Sequence, residues 1–166
     1  MSSLRLLSCV LLTVCGSIFA ESQTIPITGL GWSIAVDAPA FASKKEKPSE
    51  GGFSFQANSG NFNLSVLVET PEKAGGNKEC FDFYWSKASR NPLIDKLSVE
   101  TSRNAKFHRA QYTMKSADQV FTVKHVNYYF AFEGKWVDVH ISITNPTAKD
   151  SGLIEAFDKG LSYAKP

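Results

Sequence analysis

Apolar and polar residues alternate along much of this chain, and the alternation defines its elements. Trp32, Ile34 and Val36 interleave with Ser33, Ala35 and Asp37 until Pro39 breaks the pattern, which predicts a strand entered from Gly29-Leu30-Gly31. GGFSFQA and NFNLSVLVE flank Asn58-Ser59-Gly60, and Phe62, Leu64, Val66 and Val68 share one face, so the two runs predict a hairpin. TPEKAGGN, residues 70–77, reads as a turn region whose Asn77 can cap a helix. In that helix Phe81, Tyr84, Trp85 and Ala88 recur at helical spacing, and Asn91-Pro92 ends it. LSVETS and AKFHRAQYTM read as two further strands. Thr147 and Asp150 form a capping signature for a last helix with Ile154, Phe157 and Leu161 on one face.

The longest ordered pattern runs from Gln119 to Thr144, two alternating segments around Glu133-Gly134. Turn chemistry leaves the hairpin register open between a two-residue loop and a bulged three-residue loop. The side-chain pattern closes it. A two-residue loop sets Phe130 against Val137, Tyr128 against Val139 and Val126 against Ile141, giving one continuously apolar side. A slip by one residue would set them against Asp138, His140 and Ser142. The opposite side then pairs Ala131 with Trp136, Tyr129 with Asp138, Asn127 with His140 and His125 with Ser142. His125, Asn127, Tyr129, Trp136, Asp138 and His140 thus form an aromatic and polar patch, the candidate binding face. The segments 43–52 and 70–77, both read as loops, are the second choice for contacts. The run Lys44-Lys45-Glu46-Lys47 reads as a solvated loop.

Residues 1–20 follow a different pattern: Arg5, then a short apolar stretch from Leu6 to Leu12, then small residues up to Ala20. The apolar part is shorter than the ~20 residues a spanning helix needs, which predicts an export signal with the domain occupying 21–166 and no membrane span after cleavage. Cys15 is poorly placed for lipidation because Val14 precedes it. The expected location is periplasmic or secreted. Without Arg5, 17 basic residues face 16 acidic ones, so the exported chain is near neutral and nucleic acid is not an expected partner. Cys9 and Cys15 leave with the signal, and the remaining Cys80, amid Phe81, Phe83, Tyr84 and Trp85, reads as a buried, inert thiol without an internal disulfide.

Catalytic patterns are weak. Asp138, His140 and Ser142 project from one side of one strand, but positions two apart lie ~6 to 7 Å apart with parallel side chains, which is not triad geometry. No G-x-S-x-G elbow occurs, and Gly51-Gly52 and Gly75-Gly76 lack the Lys and Ser/Thr of a phosphate loop. His125, His140 and Asp138 could approach a metal, yet no His-x-x-x-His or paired-cysteine spacing supports one. No enzyme activity, metal or cofactor is expected.

Two hairpins, a middle helix and a terminal helix define an α+β domain with helices packed on a curved antiparallel sheet. The element order, with WSIAVDAPAF, NLSVLVE, YYFAFEGKWVDVHISI and IEAFDKGLSY, resembles the Mog1/PsbP-like superfamily over residues 25–164. That resemblance implies an α/β/α sandwich and a noncatalytic binding or assembly role in the bacterial envelope, with no site transferable residue by residue. The expectation is an exported protein that binds a macromolecular partner, such as an immunity or inhibitor protein of a cell-wall-targeting enzyme. The alternative is an envelope ligand-binding or assembly factor holding a small apolar molecule. The patterns carry no statement of oligomeric state.

Overall fold

The computed structural model describes residues 20–116 and 120–166. The expected export signal and Gln119, at the start of the long hairpin, therefore lie outside the described residues, apart from Ala20. The chain runs β1 (Glu21–Ile27), β2 (Trp32–Ala38), β3 (Ser43–Ser49), β4 (Gly52–Ser59), β5 (Phe62–Glu69), α1 (Asn77–Ala88), β6 (Ile94–Arg103), β7 (His108–Lys115), β8 (Thr122–Phe132), β9 (Lys135–Thr144), α2 (Asp150–Gly160) and β10 (Ser162–Ala164). A seven-stranded sheet has the order β3-β4-β5-β9-β8-β7-β6, a three-stranded sheet the order β1-β2-β10, and adjacent strands pair antiparallel throughout. The fold is α+β. Among the described residues, no helix is long and apolar enough to cross a membrane.

The β8–β9 register is the one the apolar pattern predicts, with Phe130 opposite Val137, Tyr128 opposite Val139 and Val126 opposite Ile141. Glu133 and Gly134 both take positive φ, 52° and 70°, as a two-residue turn matched to strand twist requires. The apolar side of this hairpin continues through Leu64 and Val66 of β5 into Phe53 and Phe55 of β4, all buried. Onto this face pack the small sheet and α2. Trp32 meets Phe132 edge-on at 5.2 Å, Tyr163 stacks on Phe130 at 4.2 Å, and Phe157 of α2 stacks on Tyr128 at 5.3 Å. Each large side chain fully withdrawn from water here contributes ~1.5 to 3 kcal/mol. At the rim of this contact, the Asp158 carboxylate accepts from Tyr128 Oη (2.6 Å) and Arg109 Nε (2.9 Å). Gly160 lets α2 close on β2, since a Cβ there would lie 2.8 Å from the Asp37 backbone nitrogen.

Several expectations are corrected. Segment 43–49 is a strand, not a loop: all seven residues of β3 are exposed, so no apolar alternation betrays it, and Lys and Pro suit a sheet edge that must not aggregate. β1 shows its buried positions only at Ile25 and Ile27. Leu161 is buried but ends α2 instead of continuing it, and Ser162–Ala164 turns into β10. Asp150 does reach back to Thr147, accepting from its N–H (2.6 Å) and Oγ1 (2.9 Å).

Candidate functional site

The second face of the large sheet carries the candidate residues, and α1 decides which of them reach solvent. Asn77 does not cap this helix. Gly76 holds the capping position, with its N–H donating to Glu79 (2.8 Å). Asn77 instead pins the helix to the sheet, its Oδ1 accepting from the Ala131 N–H (2.9 Å) and its Nδ2 donating to the Lys106 carbonyl (2.9 Å). Gly75 allows the approach: a Cβ there would sit 2.6 Å from Glu79 Cβ and 3.1 Å from the Trp136 ring, whose Nε1 donates to the Gly75 carbonyl (3.2 Å). Cys80, Phe81, Tyr84 and Trp85 consequently pack on Ala110, Ala131, Tyr129 and Trp136.

This arrangement corrects the aromatic half of the candidate face. Tyr129 is fully buried, stacked on Tyr84 at 5.8 Å, and Trp136 is 8% exposed. Both belong to a second apolar core beneath α1, where Tyr129 offers no contact surface and Trp136 only an edge. Cys80 is fully buried with Sγ donating weakly to the Val137 carbonyl (3.5 Å), and burial pushes its thiol up to about 12, an inert group.

The polar half stays together beside the helix, but Asn127 is itself buried, 5% exposed, and is corrected with the aromatics as a contact residue. Asn127 Nδ2 donates to Asp138 Oδ1 (2.9 Å), while Asn127 Oδ1 is buried with no partner. Next to them His125 Nδ1 and His140 Nε2 share one hydrogen bond (2.8 Å) between rings inclined by only 9°, and Tyr112 stacks on His125 at 5.0 Å. Desolvation pushes Asp138 up to about 7, with the Asn127 bond opposing and the Glu69 charge adding to the rise. Burial lowers both histidines to about 4, so the imidazoles are neutral at pH 7.

This chemistry is that of a desolvated hydrogen-bonding strip with one carboxyl that titrates near neutrality. His140 spends Nε2 on His125 Nδ1, and among the described residues neither ring is bonded to a carboxylate that would orient it as a base. Among the described residues, no three His, Cys, Asp or Glu side chains group so as to hold a metal ion. His125, Asn127, Asp138 and His140 are thus brought together as predicted, and Tyr129 and Trp136 stand beside them under cover.

From His140 the face runs outward across β5, β4 and β3, where no helix among the described residues covers it. Register aligns His140 with Ser65, Ser65 with Gln56, and Gln56 with Lys45. These side chains, with Ser43, Asn58, Asn63 and Ser142, line an open depression of about 460 Å³. Sequence reasoning placed β4 and β5 by their apolar positions and left their polar partners unread. The signal lay in those same runs, as the residues alternating with Phe55, Leu64 and Val66. At the opposite end of the covered zone, Phe83, Tyr84 and the edge of Trp136 form a cleft of about 370 Å³ with Glu69 and the turn Thr70–Lys73. Tyr84 Oη donates to Glu69 there (2.6 Å).

No protein-family model matches the chain, and no curated protein matches it. A solved structure from Bacteroides thetaiotaomicron VPI-5482 is similar at a TM-score of 0.45 and 13% identity, covering 80% of this chain and 45% of that one. The chain spans less than half of that protein.

Proposed function

We propose that this is a noncatalytic exported binding protein that engages a macromolecular partner in the periplasm through the uncovered polar half of its large sheet. One concrete form is an immunity or inhibitor protein that blocks a cell-wall-targeting enzyme. The observation that carries the reading is the open depression from Lys45 to Ser142. It is built on paired strands, rich in amide and hydroxyl groups, and continuous with the His125–His140 pair. A rigid scaffold rich in donors and acceptors suits a wet protein interface, in which hydrogen bonds set the register. The resemblance to the Mog1/PsbP-like superfamily and the leader-like residues 1–20 agree with an envelope role of this kind.

A second reading, an envelope factor holding a small apolar molecule, draws on the cleft at Phe83 and Trp136, where aromatic surface meets solvent. The two separate in one experiment. A photo-crosslinking residue replaces Ser65, and in a parallel sample replaces the exposed Glu155 of α2; each protein is then activated in the envelope of its own cells. The proposal expects a discrete protein adduct from position 65 and none from position 155. No adduct at 65, or a stoichiometric small apolar compound extracted from the purified protein in its place, overturns it.

A further inference from the structure

We infer that the protein segment docking on the open depression is acidic, laid across β3, β4 and β5 with its carboxylates toward Lys45 and Lys47. This deepens the proposed function and rests on it. The alternation of β3 puts Ser43, Lys45 and Lys47 on the outer face, opposite Asn58, Gln56 and Ser54, whereas Glu46 pairs with the buried Phe55 and points to the other side. The depression is lined by Lys45 and by neutral hydrogen-bonding groups, with no carboxylate among them. Among the described residues, no ion pair engages Lys45 or Lys47.

Within the depression the Lys45 charge is unopposed, while Lys47 at its edge lines an adjoining groove with Glu50 and Glu69. Asp138, the acidic side chain on the adjoining strip, is held up to about 7 and is partly protonated near neutrality; His125 and His140 are neutral there. Glu69 lies further along β5, where it accepts from Tyr84. An anionic segment therefore meets Lys45 without a compensating carboxylate in the depression, and the Gln56, Asn63 and Ser65 side chains supply donors to carboxylate oxygens. Two lysines on a chain of balanced overall charge suit a short acidic stretch better than a polyanionic helix, which needs many phosphate contacts.

The test titrates the isotope-labelled full domain with octaglutamate, octalysine and a single-stranded oligonucleotide while its backbone amide resonances are followed. Octaglutamate should shift amides of β3, β4, β5, His140 and Ser142 selectively. The affinity should fall about tenfold both from low to high salt and in the K45E/K47E variant. These lysines are exposed on an edge strand, so the variant's melting temperature should be unchanged. Equal binding of octalysine, tighter binding of the oligonucleotide, or octaglutamate shifts that K45E/K47E leaves intact would overturn the inference. If the position-65 crosslink still captures a protein after that result, only the acidic preference fails. If it captures none, the binding reading itself falls.

Discussion

Asp138 is the most informative residue to perturb, because burial beside Asn127 makes its charge a stability variable. Its carboxyl, ordinarily at 3.8, is held at about 7 in the folded protein. Between those values the unfolded chain has released a proton that the native chain keeps, so stability falls as pH rises through this window. About three units correspond to a ceiling of ~4 kcal/mol at ~1.4 kcal/mol each. Water at the partly open edge of the strip lowers the expected loss to ~2 to 4 kcal/mol. The histidines act in the opposite sense. Their folded values near 4 mean that the native state resists a proton the unfolded chain takes up, so stability is lost as pH falls below about 6.5.

Asp138→Asn separates the two effects. The amide can still accept from Asn127 Nδ2, and its own NH₂ can donate to the buried Asn127 Oδ1 that has no partner. A protonated Asp138 can likewise donate one hydrogen to that oxygen, so the two proteins should be similar at pH 4. Urea unfolding of both proteins, followed by tryptophan fluorescence from pH 4 to 8, gives the difference in stability. The histidine contribution is common to both and cancels. The variant should gain ~2 to 4 kcal/mol over the wild type across that range. A difference flat with pH would show that Asp138 ionises as an ordinary solvated carboxylate, and the picture of a desolvated strip beside α1 would be wrong.

Two further substitutions probe the cover over the candidate face. Tyr129 Oη is buried with no partner, so Tyr129→Phe should leave stability unchanged or raise it by up to ~1 kcal/mol in thermal unfolding; a clear loss would reveal a hydrogen bond at that hydroxyl. Asn77→Ala should cost ~1 to 3 kcal/mol, because it strands the Ala131 N–H and leaves the Lys106 carbonyl only its bond from Tyr163 Oη, and amide exchange of α1 should quicken before that of β8.

The contrast between β8–β9 and β3 shows what the chain declares about itself. Phe130, Tyr128 and Val126 facing Val137, Val139 and Ile141 is a pattern that only one register satisfies, so the hairpin was legible before any coordinates. β3 has no inward-facing apolar residue to declare it. It is held by the ladder to β4, and its Lys-rich composition is indistinguishable from a solvated loop. The docking of α1 sits between these cases. Phe81, Tyr84 and Trp85 announce an apolar helix face, but nothing in their spacing says that it lands on Tyr129 and Trp136. That choice is made by the Asn77 bond to Ala131 and the clearance at Gly75, contacts spanning tens of residues in sequence.

The placement of that helix also explains why the site is polar. Tyr129, Trp136 and Ala110 provide apolar ground for α1, and the helix covers them; Asn127 is buried beside Asp138 at the edge of that ground, and the His125–His140 pair continues the polar strip. Strand alternation alone would leave both sets on one exposed face. Helix docking buries the aromatic residues that resemble an interface hot spot, and the polar groups left in the open are the amides, hydroxyls and lysine of the depression across β3, β4 and β5. If this surface recognises a partner, shape and hydrogen bonding set by the β5–β9 ladder must carry the specificity, with Lys45 and Lys47 steering the encounter.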